Sequence, residues 1–80
     1  MSDSITIRHS RPEDSQAVVR LAALDDRVPP RGDALLAFVD GDLAAARPLE
    51  PGAEPVSDPF RLTRNLLALL DLRAAQERAA

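Results

Sequence analysis

Ala34-Leu35-Leu36-Ala37-Phe38-Val39-Asp40-Gly41-Asp42-Leu43-Ala44-Ala45-Ala46 is the stretch that decides the fold. Its first six residues are all apolar, as expected for an inner strand covered on both faces or for one at an association surface. Asp40-Gly41 then supplies a two-residue type I′ turn, whose central positions both require positive φ. A hairpin centred on that turn sets Val39 opposite Asp42, Phe38 opposite Leu43 and Leu36 opposite Ala45. An antiparallel sheet is therefore the scaffold, and the flanking segments must cover it.

Upstream, Ile5 and Ile7 alternate with Ser4, Thr6 and Arg8, the period of a half-buried strand. Ser10 and Glu13 have capping-box spacing, and Pro12, Glu13 and Asp14 suit a first helical turn. A helix is expected over residues 12–24, with Ala17, Leu21 and Leu24 on one narrow arc, Val18 beside them, and Glu13, Gln16 and Arg20 on the solvated edge. Asp25, Asp26 and the run Val28-Pro29-Pro30-Arg31-Gly32 form a connector to the hairpin.

Downstream, the return strand meets Pro48, Pro51 and Gly52, the last two suiting a type II turn. Residues 53–57 offer a short fourth strand that Pro55 confines to an edge or a bulge. After Asp58-Pro59-Phe60, Thr63 is the expected N-cap of a last helix reaching about residue 79. Its apolar stripe, Leu62, Leu66, Leu69 and Leu70, is widened by Leu67 and Leu72 beyond one contact face. Arg73 and Glu77 interrupt the stripe, are spaced to pair with each other, and are expected to carry the last turns past the core.

The expected architecture is α+β: an antiparallel three- or four-stranded sheet packed with two helices in the order β-α-β-β-(β)-α. It forms a single domain over residues 1–80, with 1–4 and 77–80 expected to fray. A chain of this size buries only about 60% of the surface its unfolded form exposes. There is no Cys, one His and two Phe, so the core is built from Leu, Val, Ile and Ala, and self-association is the support left open.

The net charge of −3 offers no field for polyphosphates, which speaks against a nucleic-acid partner. No apolar run approaches the roughly 18 residues of a membrane span, and the opening MSDSITIRHS lacks the apolar stretch of a signal peptide. A cytoplasmic protein without a membrane partner is the expectation. All ten basic residues are Arg, the flavour of a high-GC bacterial genome rather than a functional signal.

Ile5-Thr6-Ile7-Arg8 followed by Arg11-Pro12-Glu13-Asp14, and then Val39-Asp40-Gly41-Asp42-Leu43-Ala44-Ala45, resembles the first half of the GNAT acetyltransferase fold. The likeness covers roughly residues 5–49. The tail, Asp58-Pro59-Phe60-Arg61 with its Leu-rich helix, is similar to short GNAT-like proteins of actinobacterial type. In the full family, the helix after the fourth strand begins with Q/R-x-x-G-x-G/A, whose backbone N–H groups cradle the pyrophosphate of acetyl-coenzyme A. The corresponding stretch here, Ser57-Asp58-Pro59-Phe60-Arg61-Leu62-Thr63, has no glycine, one missing donor at Pro59 and a negative charge at Asp58. The resemblance thus implies a truncated domain with no catalytic residue, no cofactor and no metal.

The individual side chains agree with that reading. His9 has no nucleophile or acid at a diagnostic spacing and reads as a solvated junction residue. Ser10 and Thr63 read as caps rather than nucleophiles. Asp25, Asp26, Asp40 and Asp42 lack the alternating spacing of a calcium loop, and Arg61, Arg64, Arg73 and Arg78 point in different directions on the last helix. The candidate interaction surface is the leucine set Leu62, Leu66, Leu67, Leu69, Leu70 and Leu72, serving a homodimer or a protein partner. Two further readings stand beside it: acetyl-coenzyme A bound across an oligomer, and a truncated remnant without activity.

Overall fold

The computed structural model describes residues 4–30, 32–50, 52–60 and 64–79. Strand β1 (Ile5–His9) leads through a 3-10 turn (Pro12–Asp14) into helix α1 (Ser15–Leu24). Strands β2 (Ala34–Val39), β3 (Asp42–Pro48) and β4 (Val56–Ser57) follow, and helix α2 (Arg64–Ala79) closes the sequence of elements. The four strands form one antiparallel sheet in the order β1-β2-β3-β4. The class is α+β, with four strands and two helices.

Alternate residues of β2 go to opposite helices. Ala34 and Leu36 pack with Val18, Leu21 and Ala22 of α1, whereas Leu35 and Ala37 pack with Leu66, Leu70 and Ala74 of α2. A helix therefore lies on each face of the sheet, and the unbroken apolar run of β2 is an inner strand covered on both sides. Leu35, Leu36 and Leu70 are wholly enclosed, each contributing about 1.5–3 kcal/mol of transfer free energy.

The turn takes the conformation expected of its sequence, with φ of 52° at Asp40 and 88° at Gly41. Val39 pairs with Asp42 and Phe38 with Leu43, as the type I′ turn requires. Beyond them the ladder slips by one residue, so Ala37 pairs with Ala45 and Leu36 with Ala46, not Ala45. Ala44 is the extra residue of a β-bulge. The bulge turns both Ala44 and Ala45 toward α2 and returns Ala46 to the α1 side.

Helix α1 is rotated from the expected arc. Val18, Leu21 and Ala22 are buried, while Leu24 is 46% exposed and Ala17 only half-buried. The cause is Asp14, which is itself buried and must face β1. Asp14, Val18 and Ala22 are successive positions of one helical row, so turning Asp14 inward brings that row onto the sheet. The helix ends in a Schellman motif, with Arg27 N–H on the Ala22 carbonyl, Asp26 N–H on that of Ala23, and Asp26 at φ 53°.

The capping role expected of Ser10 falls to other groups. The Arg11 N–H donates to Asp14 Oδ2 at 2.7 Å, and Ser10 instead extends the β1–β2 ladder, its N–H on the Ala34 carbonyl and its hydroxyl accepting from Ala34 N–H. Ser4 is clasped to Asp40, donating to Oδ1 and accepting from the Asp40 N–H. Helix α2 continues through residue 79, with Ala74 buried on the sheet and Glu77 bonded to His9.

Candidate interaction surface

The leucines of α2 divide between the core and the outside. Leu66 and Leu70 are buried, and Leu67 is half-buried against the same cluster. Leu69 and Leu72 remain 44% and 55% exposed. Leu62 and the N-cap position Thr63, with Arg61, lie outside the described residues. The sheet thus absorbs Leu66, Leu67 and Leu70 from the predicted surface and leaves Leu69 and Leu72 available.

Two polar contacts fix which flank of α2 overlies which strand. Asp71 Oδ1 lies 3.2 Å from Arg47 Nε of β3, and Glu77 Oε1 lies 2.7 Å from His9 Nε2 of β1. At 100° per residue, Leu69 falls on the Glu77 side of the helix, opposite Asp71, and Leu72 points away from the sheet. The exposed leucines therefore lie on the back of α2 and on its β1 flank. Arg47 owes its position to the bulge, because only the slipped register turns residue 47 toward α2. Its Nη1 also donates to the Ala53 carbonyl at 2.7 Å, tying the β3–β4 connection to the sheet.

On the opposite face, Arg8 donates to both Asp14 carboxylate oxygens at 2.8 and 2.9 Å and lies 4.7 Å from the centre of the Phe38 ring. The Arg8 hydrogen bond, aided by the Arg11 N–H and the nearby positive charge, holds the Asp14 carboxyl down at about 2 despite its burial. The same partnership raises the pKa of the Arg8 guanidinium. This is a fastening between β1 and α1 in which both Asp14 oxygens are taken. Arg27 is similarly raised by its contact with Glu54, with Asp25 beside it.

The remaining candidates are dispersed. His9 is not merely solvated: its ring joins β1 to the last turns of α2. Asp25 accepts from Ser57 N–H, Asp40 from Ser4 N–H, and Asp26 occupies the helix end. Among the described residues no three or more His, Asp or Glu side chains gather as a metal site would need. Arg73 is exposed, and the Arg64 and Arg78 side chains lie outside what is described.

A half-open cleft of about 350 Å³ separates the start of α1 from the segment around Pro29 and Pro30. Its polar walls serve the fold: the Ser15 hydroxyl donates to the Pro12 carbonyl, Ser10 accepts from Ala34, and Asp14 holds Arg8. Ahead of α2, Asp58 Oδ1 accepts from the Phe60 N–H at 2.8 Å. A carboxylate thus occupies a backbone donor just ahead of α2.

Among the described residues no helix is long and apolar enough to cross a membrane. Comparison with protein-family models, curated proteins and solved structures finds no match to this chain.

Proposed function

We propose that this chain is a non-catalytic interaction module that associates with a second copy of itself, with the outer side of α2 as the apolar contribution. The observation that carries the reading is the surplus on that helix. Leu66 and Leu70 already fill the sheet face, yet Leu69 and Leu72 add a further exposed apolar pair one turn apart. A small domain with no disulfide to brace it gains most from covering such surface. The relation to GNAT proteins is part of the same proposal, supported by the element order and the Asp40-Gly41 turn. A cytoplasmic setting is too, supported by the Cys-free composition.

Light scattering across the micromolar range tests the reading: a dimer is expected, and a strict monomer at every concentration overturns it. The rival, coenzyme A bound between chains, is disfavoured by Asp58 holding the Phe60 N–H. Calorimetry with millimolar acetyl-coenzyme A is expected to give no binding heat, and a saturable signal would reverse that preference.

A further inference from the structure

We propose that two copies join β1 to β1 across a twofold axis through Ile7, so that one sheet runs uninterrupted through both subunits. This rests on the self-association reading above and fixes the seam at which it acts.

Strand β1 is the outer strand of the sheet. The Ser10 N–H bonds to the Ala34 carbonyl and the Asp40 N–H to the Ser4 carbonyl, which sets the phase of the β1–β2 ladder. In that phase Thr6 and Arg8 direct their backbone groups at β2, and Ile5, Ile7 and His9 direct theirs outward. The other rim of the sheet is blunted: β4 is two residues long, follows Pro55, and is tied in by the Asp58 N–H on the Ala44 carbonyl. Among the described residues the charged side chain on β1, Arg8, is turned to Asp14 on the α1 face. The strand contains no Pro and no Lys, and its register against β2 is unbroken over all five residues.

The charge pattern of the rim selects a second copy as the occupant. Antiparallel pairing about a twofold axis needs outward-facing residues opposite one another. Centring on Ile7 pairs Ile7 with its counterpart and Ile5 with His9, so the outward residues of both copies are all used. The same register sets Thr6 opposite Arg8 in both directions. Moving the axis toward the end of the strand, to pair Ile7 with His9, would oppose Arg8 to Arg8, which is unfavourable at cross-strand distance. Moving it the other way, to pair Ile5 with Ile7, opposes Thr6 to Thr6 and leaves His9 outside the pairing, so the Ile7-centred register is the one that engages all three outward residues. Ile5, 50% exposed, becomes covered, and Leu69 lies on the α2 flank that faces the seam.

Thr6 is exposed and spends no side-chain bond on the fold, so it reports the register with little risk to folding. Sedimentation of the full chain over a concentration series, with far-UV circular dichroism to verify folding, compares T6R, T6E, I5P and L72E with wild type. T6R places Arg against Arg8 twice about the axis and is expected to weaken the dimer on the order of ten-fold, whereas T6E, pairing with Arg8, tightens it several-fold. I5P removes an outward donor that β2 does not use and is expected to weaken the dimer while leaving the fold intact. Opposite responses at Thr6 support the seam. A dimer indifferent to T6R, T6E and I5P but dissociated by L72E overturns the seam while leaving self-association through α2 standing. A monomeric wild type overturns both.

Discussion

Replacing Leu70 by Ala measures how much of this fold depends on α2. Leu70 has no exposed surface and shares a buried cluster with Leu35, Ala37, Ala44, Ala45, Leu66 and Ala74, against which Ile7, Val39, Leu49 and Leu67 pack. Four of its six fully buried partners are alanines, whose short side chains cannot swing into a void. The cost is therefore expected within the range for buried Leu to Ala, about 3–5 kcal/mol. Against a whole-domain stability of roughly 4–12 kcal/mol for a chain of this length, that is a quarter or more of the total. With a urea slope of about 1 kcal/mol per molar, the unfolding midpoint falls by about 3–5 M, or the variant is unfolded in buffer. The chain has no Trp or Tyr, so far-UV circular dichroism is the suitable probe. Chain concentration is kept equal and below the association range, because a dimer would add its own stabilisation. Leu72→Ala on the same helix, 55% exposed, is the control and is expected within about 0.5 kcal/mol of wild type. A loss below about 1 kcal/mol for Leu70→Ala, or equal losses for the two variants, would refute the packing of α2 on the sheet.

Four further outcomes follow from the geometry. Asp26→Gly relieves an L-residue at φ 53° in the Schellman position and should raise stability by about 0.5–1 kcal/mol in the same urea assay. Gly41→Ala meets open space around the added methyl, so its expected loss of about 1 kcal/mol is purely conformational; a neutral result would contradict the type I′ turn. Asp14 binds its proton less readily folded, at about 2, than unfolded, so its stabilisation is complete above the ordinary carboxylate range and is lost as pH falls toward 2. Asp14→Asn should therefore flatten the dependence of the thermal midpoint on pH between about 5 and 2, and an unchanged slope would show that the Arg8 contact is idle. Glu77→Ala removes an exposed pair with His9, so the global loss should stay under about 1 kcal/mol while amide exchange quickens in the last turn of α2 alone.

Much of the fold is legible in the sequence because single residues carry geometric obligations. Asp40-Gly41 dictates the turn, the apolar run of β2 dictates cover on both faces, and Pro55 confines β4 to the rim. The misreadings share one cause, which is that the deciding partner is distant in sequence. Three consecutive alanines, Ala44 to Ala46, look the same from either face, so nothing local marks the bulge. What favours the slipped register is remote: α1 receives Ala46, and Asp71 receives Arg47. Asp14 reads as a first-turn acid and Glu77 as a partner for Arg73 because their actual partners, Arg8 and His9, belong to another element. A search for buried carboxylates facing β1 would have rotated α1 correctly.

The candidate surface was legible as an excess but not as a location. A wheel counts leucines, and the count on α2 exceeds one contact face whichever of them the sheet takes. Which ones remain depends on the flanks, and these are set by Asp71 reaching β3 and Glu77 reaching β1. Once each face of the sheet carries a helix, further apolar contact is restricted to the backs of the helices and to the rims. Isolated exposed residues such as Val28 and Phe60 are ordinary on small proteins and indicate nothing by themselves. Leu69 differs because it shares its flank with an outer strand carrying the half-exposed Ile5. Continuity between a helix flank and a strand rim, rather than the number of leucines, is what makes this side of the molecule the place to expect association.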